Sequence, residues 1–159
     1  MLINKSIKSG FVSQILRVTN LYGPTLNGEI RGGFVNELIK SAINKSSFTL
    51  DENYCNIKKN FLYVEDLLFV LDYLLNKTVV DNVIVNVASE YSLSLEQVLE
   101  VTLKALYEFK LKPEIGIKNL DYTGNNNHEF DLGFLKKLIP EFSSTPLEKG
   151  LIQTLKYLS

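Results

Sequence analysis

The sequence predicts an α/β fold, because strand patterns alternate along it with helix patterns. Residues 13–20 and Val83-Ile84-Val85-Asn86-Val87 are short apolar, β-branched runs of the kind that form buried strands. Residues 33–44 and 64–75 carry apolar side chains at three- and four-residue intervals, which predicts amphipathic helices. The chain has the length of one domain, so we treat residues 1–159 as a single unit.

Shorter patterns complete the predicted order of elements. Phe48-Thr49-Leu50 and the stretch from Glu114 to Ile117 are strand candidates, whereas residues 51–60 are predicted to form a polar loop. Residues 2–9 predict a short helical stub that ends at Gly10.

Capping signals mark the starts of three further helices. Ser94-Leu95-Glu96-Gln97 matches a capping box and predicts a long amphipathic helix. Asp131 is expected to cap a short helix. Thr145-Pro146-Leu147-Glu148 predicts a last helix over about 146–158, with Pro146 at its first position.

Charge and composition exclude several classes of function. The net charge is -1 and the Lys and Arg residues are scattered, which argues against a nucleic-acid-binding surface. No apolar run approaches the roughly 20 residues needed to span a membrane. The single Cys55 and the single His128, which lies in an Asn-rich loop, cannot form a disulfide or a structural zinc site within the chain. We therefore expect a cytoplasmic protein without a metal site.

Polar residues gather where the first predicted strand ends. Thr19 and Asn20 close the apolar run, and Tyr22-Gly23-Pro24 breaks it. In open α/β sheets, ligands bind beyond the carboxyl ends of the strands, which makes Asn20 a candidate ligand contact. Asn and Gly also build turns for conformational reasons alone, so the local sequence allows both interpretations.

Four blocks follow one another in an order typical of one enzyme family. They are Leu16-Arg17-Val18-Thr19-Asn20-Leu21-Tyr22-Gly23-Pro24, Lys59-Asn60-Phe61-Leu62-Tyr63-Val64-Glu65-Asp66-Leu67, Val85-Asn86-Val87-Ala88-Ser89 and Thr145-Pro146-Leu147-Glu148-Lys149-Gly150-Leu151. Together they resemble the C-terminal half of NAD-dependent nucleotide-sugar epimerases and dehydratases, in the extended short-chain dehydrogenase/reductase family. The resemblance implies a partial Rossmann-like unit, formed by a late strand of its parallel sheet, plus a small α/β substrate-binding region. Residues 1–24 would be the remnant of the Rossmann sheet.

The resemblance also implies substrate-binding residues. Asn20 matches a family Asn that contacts the diphosphate or sugar, which favours ligand contact over a plain turn. Tyr22 matches a position near cofactor and substrate, although it could equally be a packing residue. Lys59 stands where the family commonly has an Arg that clamps the diphosphate, and Lys58 could share that task; two solvated loop lysines are the competing interpretation. Asn60 stands in place of a family Asp, which puts the local hydrogen bonding in doubt.

Two features of the intact family are missing from this sequence. It contains no Gly-x-x-Gly-x-x-Gly turn, on which the family binds NAD or NADP. The family's catalytic Tyr-x-x-x-Lys pair precedes the Arg of its "LR" strand, whereas residues 1–16 contain no Tyr. We therefore assign no catalytic residue and expect this chain alone not to bind the cofactor. No Arg follows Arg31, although many family members have a second diphosphate-binding Arg shortly before the position of Asp131.

Two hypotheses from different classes follow. The first is a truncated NAD-dependent epimerase or dehydratase that keeps the half binding the nucleotide-diphosphate sugar, is inactive alone, and pairs with a separate cofactor-binding half or a second copy. Its strand at residues 13–20 would then leave a sheet edge exposed. The second is a non-catalytic remnant that binds a sugar nucleotide or another protein. Lys59 in place of Arg supports the second hypothesis, and neither has a nucleic acid or a membrane as partner.

Overall fold

A computed structural model describes residues 10, 12–25, 27–76, 82–119 and 129–159. Helices and strands alternate through these residues, which confirms the predicted α/β class. The helices are α1 (Phe34–Asn44), α2 (Val64–Asn76), α3 (Leu95–Glu108), α4 (Gly133–Leu138) and α5 (Leu147–Leu158). The strands are β1 (Gln14–Val18), β2 (Asn20–Tyr22), β3 (Ser47–Asp51), β4 (Lys58–Tyr63), β5 (Val83–Val87), β6 (Ser92–Ser94) and β7 (Glu114–Lys118). The predicted stub at residues 2–9 and the loop with His128 lie outside the described residues.

The strands form three small sheets. β1 runs parallel to β5, with Gln14 opposite Val83 and Val18 opposite Val87. β4 is the middle strand of the second sheet, where it pairs with β2 in parallel and with β6 in antiparallel orientation. β3 and β7 form the third sheet, which is also parallel.

The first predicted strand changes sheets at Thr19. The Thr19 amide still donates to the Val87 carbonyl at 3.2 Å, but its hydroxyl donates to the Asn60 carbonyl at 3.0 Å, and the chain continues as β2 beside β4. The prediction of one strand over residues 13–20 is therefore wrong. Hydrophobic periodicity reports burial and cannot show that a strand exchanges one partner for another.

β4 separates two hydrophobic cores by the alternation of its side chains. Leu62 points into the small core, which α2 and α4 build against β1 and β5, with Val70, Val85, Val87, Leu135 and Ile139 among its members. Phe61 and Tyr63 point into the large core, which lies between β2, β3, α1, α3 and α5. Every apolar residue of β4 is buried, so the strand cannot shift by one position without exposing one core or the other.

Several predicted boundaries needed correction. The loop predicted over residues 51–60 is wrong at both ends, because β3 includes Asp51 and β4 begins at Lys58. Only one 3-10 turn, Tyr54–Asn56, and its flanking residues connect the two strands. The residues at these ends of β3 and β4 are polar and show no alternation of apolar side chains. The hydrophobic pattern therefore gave no sign that they belong to strands.

Of the three predicted helix starts, the capping box is confirmed and the positions of Asp131 and Pro146 are wrong. The capping box is confirmed, because the Ser94 and Gln97 side chains each bond to the other residue's amide. α4 has Leu132 as its N-cap residue, whereas Asp131 accepts a hydrogen bond from the Gly133 amide at 2.7 Å, so its prediction as the cap is wrong. In α5 Pro146 is the N-cap residue rather than the first helical one.

Among the glycines that the structure describes, Gly150 is the one whose substitution the packing tolerates least. A Cβ at this position in α5 would lie 2.8 Å from Tyr22 Cζ and closer still to the hydroxyl oxygen. Gly150→Ala should therefore lower the free energy of unfolding by about 1–3 kcal/mol through overpacking, against the usual helix-stabilising effect of Ala. Urea denaturation measures this, with Gly116→Ala as control because a Cβ there meets nothing within 4 Å. Equal effects of the two substitutions would contradict the packing shown.

Candidate functional site

The candidate site lies where the chain crosses from β1 to β2, at the carboxyl ends of β1 and β5. A cleft of about 350 Å³ opens there between β4 and the segment after β5. We call it the polar cleft; it is lined by Lys58, Asn60, Ser89, Glu90, Tyr91, Ser92, Glu129 and Phe130. Ligands of parallel α/β sheets bind at this end of the strands, so the position suits a binding site.

The Ser89–Ser92 turn forms one wall of the polar cleft and is held by polar side chains. Within this turn, the backbone amide of Glu90 donates to the Ser144 hydroxyl at 3.0 Å, and the hydroxyl oxygens of Ser89 and Ser144 lie 3.2 Å apart. The Glu90 carboxylate accepts hydrogen bonds from Lys136 and from Ser143. The hydrogen bond from Lys136 holds the pKa of Glu90 below its ordinary value, against the opposing effect of burial.

Asn20 is exposed at the start of β2, where it lies opposite Phe61 of β4 and so shares the face of the sheet with Lys59. The polar cleft opens on the other face, that of Lys58 and Asn60. The side-chain amide of Asn20 donates to the Asn60 carbonyl at 2.9 Å, which fixes the side chain at the crossing point. The side-chain oxygen of Asn20, Oδ1, has no hydrogen-bond partner among the described residues. Asn20 thus has one anchored end and one end able to meet a ligand.

The two lysines lie on opposite faces of β4. Lys58 shares a face with Asn60 and lines the polar cleft, whereas Lys59 shares the other face with Phe61. They lie on a strand and not in a loop. One diphosphate therefore cannot be clamped by both side chains from the same side of the strand.

Tyr22 lies in the large core, where its side chain is only 1% exposed. Its ring centroid is 5.4 Å from that of Tyr63, and its hydroxyl donates to the Leu147 carbonyl at 3.4 Å. Burial, reinforced by the charge of Asp66, raises the pKa of the Tyr22 hydroxyl above its ordinary value. Of the two interpretations of Tyr22, this environment favours the packing residue.

The amino end of α1 lies next to the strand exit. A Cβ on Gly33 would be 3.9 Å from the Leu21 carbonyl oxygen, and Gly33, the N-cap residue, supplies no side-chain cap. The first-turn amides of a helix have no partner within the helix and carry partial positive charge. The amino end of α1 therefore adds an electropositive element next to Leu21, which the Glu37 carboxylate in the same first turn offsets in part.

Asp66 is hydrogen-bonded to the segment that precedes α5, next to the residues that hold the wall of the polar cleft. It accepts hydrogen bonds from the Thr145 amide at 2.9 Å and from the Thr145 hydroxyl at 2.6 Å, next to the Ser143 and Ser144 that hold the Ser89–Ser92 turn. Sequence reasoning missed the contributions of Ser144 and Lys136, because only the fold brings these distant segments together.

The described residues offer no catalytic pair in the arrangement that the resemblance requires. The Tyr-x-x-x-Lys spacing does occur at Tyr54 and Lys58, but these residues lie in a 3-10 turn and a strand. It occurs again at Tyr73 in α2 and Lys77, which is outside the described residues. Within the described part of the chain, no three His, Cys, Asp or Glu residues are placed to hold a metal ion. None of its helices is long and apolar enough to cross a membrane.

Comparisons with known proteins identify the fold. No protein-family model and no curated protein matches the sequence. The UDP-glucose 4-epimerase of Thermotoga maritima, solved with UDP-glucose, matches 98% of this chain with a TM-score of 0.76 and 17% identity. The UDP-N-acetylglucosamine 4-epimerase of Methanobrevibacter ruminantium M1, in complex with UDP-N-acetylmuramic acid, matches 98% with a TM-score of 0.78 and 16% identity. TunA, an NAD-dependent NDP-hexosamine 5,6-dehydratase involved in tunicamycin biosynthesis, matches 91% with a TM-score of 0.71 and 22% identity.

These matches cover 48%, 49% and 45% of the three chains, so this chain spans about half their length. The chain has the fold of about half of each of these two epimerases and of the dehydratase. This confirms, for the fold, the resemblance that the four sequence blocks indicate. At such low identity the shared fold alone is shown, and the role of each residue has to come from this chain's own geometry.

Glu90→Gln should lower the free energy of unfolding near pH 7, and the difference from wild type should shrink as the pH falls. Because the folded pKa of Glu90 is lowered, its stabilisation is present above the unfolded pKa of about 4.3 and is lost as the pH falls through the folded pKa. Urea titrations at about pH 7, 5 and 3 measure the difference.

Glu148→Gln is the matched control, because the Glu148 side chain is 57% exposed in its ion pair with Lys104, against 21% for Glu90. An exposed ion pair stabilises little, so this control should change stability less. A Glu90→Gln difference that stays constant from pH 7 to pH 3 would show that the ion pair does not hold the turn.

Proposed function

We propose that this chain is the sugar-nucleotide-binding half of an NAD-dependent epimerase or dehydratase, and that turnover needs a cofactor-binding half outside these 159 residues. The observation that carries the proposal is the position of Asn20. It lies at the carboxyl ends of parallel strands, anchored at one end and open at the other, in a chain with the fold of half such an enzyme. The proposed ligand is a nucleotide-diphosphate sugar.

The surroundings of Asn20 support a ligand with both anionic and hydroxyl groups. The amino end of α1 and one of the two lysines of β4, which lie on opposite faces of the strand, provide positive charge. The polar cleft adds hydroxyl and carboxylate groups, among them Ser89, Tyr91 and Glu129, which suit the hydroxyls of a sugar. Its acidic residues balance much of the lysine charge, so a purely anionic ligand would be held less well there.

The cofactor is proposed for the intact enzyme only. NAD supplies the hydride acceptor in such an enzyme, but these residues include no Gly-rich turn to receive its pyrophosphate. This chain's own contribution is to bind and orient the sugar nucleotide. We therefore derive no step through the cofactor, and we expect no NAD binding by this chain alone.

Titration calorimetry with UDP-glucose tests ligand binding directly. The wild-type chain should bind UDP-glucose and not NAD, and Asn20→Ala should weaken UDP-glucose binding by roughly tenfold through loss of a polar contact. Only one of Lys58→Ala and Lys59→Ala should produce a comparable loss, because the two side chains lie on opposite faces of β4. Equal losses in both variants would contradict that geometry.

Two controls separate binding from folding. Lys112→Ala removes an exposed lysine outside the cleft and should leave the affinity unchanged. Tyr22→Phe changes a buried packing residue and should alter stability but not affinity. Absence of binding to UDP-, dTDP- and GDP-sugars by a chain shown to be folded would overturn the proposed ligand class.

The β1–β5 sheet supports a partner half. Parallel sheets are normally covered on both faces and contain more than two strands, whereas β1 pairs only with β5 among the described residues. Its outer face carries Arg17 and Ile84, which are exposed, Ile84 to 41%. We infer that further parallel strands extend this sheet at β1 in the intact enzyme.

Mixing this chain with a folded Rossmann half from a related epimerase should restore epimerase turnover of UDP-glucose, measured by product analysis with NAD present. Gln14→Pro should weaken the recovery. Because the Thr19 amide donates to Val87 and amide directions alternate along a strand, the Gln14 amide points away from β5, toward the open edge where a partner strand would pair. Ile117→Pro, in the exposed β7, is the matched control for proline in a strand. Sugar-nucleotide binding without any recovery would show the alternative, a non-catalytic binding module.

A further inference from the structure

The side chain of Asn60 connects β4 to the Ser89–Ser92 turn through three hydrogen bonds of 3.2 Å or shorter. Its Nδ2 donates to the Ser89 carbonyl at 2.9 Å and to the Tyr91 carbonyl at 3.2 Å, with the Ser92 hydroxyl 3.4 Å away. Its Oδ1 accepts from the Ser89 amide at 2.9 Å. Both amide hydrogens and the carbonyl oxygen are therefore used within one turn.

The backbone partners fix which end of the side chain must donate. The Ser89 amide can only donate and the Ser89 and Tyr91 carbonyls can only accept, so the orientation of the Asn60 amide follows from its partners. Asn60 is 2% exposed, so water cannot readily replace these bonds. A carboxylate could accept from the Ser89 amide but would face two carbonyl oxygens without a hydrogen to share.

The same residue also touches the candidate ligand contact. The Asn60 backbone carbonyl accepts from the Asn20 side chain and from the Thr19 hydroxyl. The Ser89–Ser92 turn, which the Asn60 side chain holds, forms one wall of the polar cleft. One residue is therefore hydrogen-bonded both to Asn20 and to that wall.

We propose that Asn60 is a positioning residue, whose side-chain amide holds the Ser89–Ser92 turn in the conformation that binds the sugar nucleotide. Its place in ligand binding rests on the proposed function, whereas its hold on the turn does not. The position requires an amide: aspartate, the residue that the family resemblance would place there, cannot make the two donated bonds.

The test compares Asn60→Asp with Thr102→Ala, a change at a buried polar residue of α3 away from the cleft. Thr102 is fully buried, and its hydroxyl donates to the Val98 carbonyl at 2.6 Å. Both variants should be less stable. Only Asn60→Asp should lose protection of the Ser89 amide from hydrogen exchange, measured by NMR, and weaken UDP-glucose binding by at least about tenfold at pH 7.5.

The pH dependence distinguishes loss of a donor from general loosening. In Asn60→Asp the introduced carboxyl lies against carbonyl oxygens, so its protonated form, which can donate one hydrogen bond, is favoured in the folded state. Its destabilising effect therefore grows as the pH rises and is relieved in part as the pH falls. Affinity and Ser89 protection should recover partly at pH 5.5 in Asn60→Asp but not in Asn60→Ala.

Three outcomes would overturn the proposal. They are wild-type Ser89 protection in Asn60→Asp, equal affinity losses in Asn60→Asp and Thr102→Ala at the same folded fraction, and parallel pH behaviour of Asn60→Asp and Asn60→Ala. If the wild-type chain binds no UDP-glucose, the proposed function fails separately, and the exchange measurements alone decide the role of Asn60 in holding the turn.

Discussion

The alternation of side chains along β4 is the constraint on which the rest of the structure depends. Leu62 belongs to one core and Phe61 and Tyr63 to the other, so both cores fix the register of a single six-residue strand. The same alternation continues to the start of the strand, where Lys58 and Asn60 face the polar cleft and Lys59 does not. Core packing therefore decides which polar groups reach the candidate site.

The candidate site is assembled from segments that are far apart in the sequence. β2 begins with Asn20, β4 carries Asn60, and Ser144 and Lys136 hold the Ser89–Ser92 turn by hydrogen bonds. Most of these contacts are hydrogen bonds to backbone groups, which constrain geometry more than residue identity. This explains how a fold shared with solved epimerases can persist at 16% and 17% identity.

The strands and helices could largely be predicted from the sequence because each element has a regular apolar pattern. The crossing at Thr19 could not, because the pattern continues unbroken while the hydrogen-bond partner changes from Val87 to Asn60. Asn20 could be predicted as a ligand contact from its place at the end of a strand. The opposite orientations of Lys58 and Lys59 could not be predicted, because they depend on the register of β4. The roles of Ser144 and Lys136 depend on tertiary contacts that no local sequence pattern predicts.

The central claim is that a sugar nucleotide binds at the crossing between β1 and β2. The most direct measurement is an NMR titration of the isotope-labelled chain with UDP-glucose, following every backbone amide. The account predicts shift changes concentrated at residues 19–21, 33–35, 58–60 and 89–92. Changes concentrated on the β3–β7 sheet, or at the carboxyl end of α5, would contradict it.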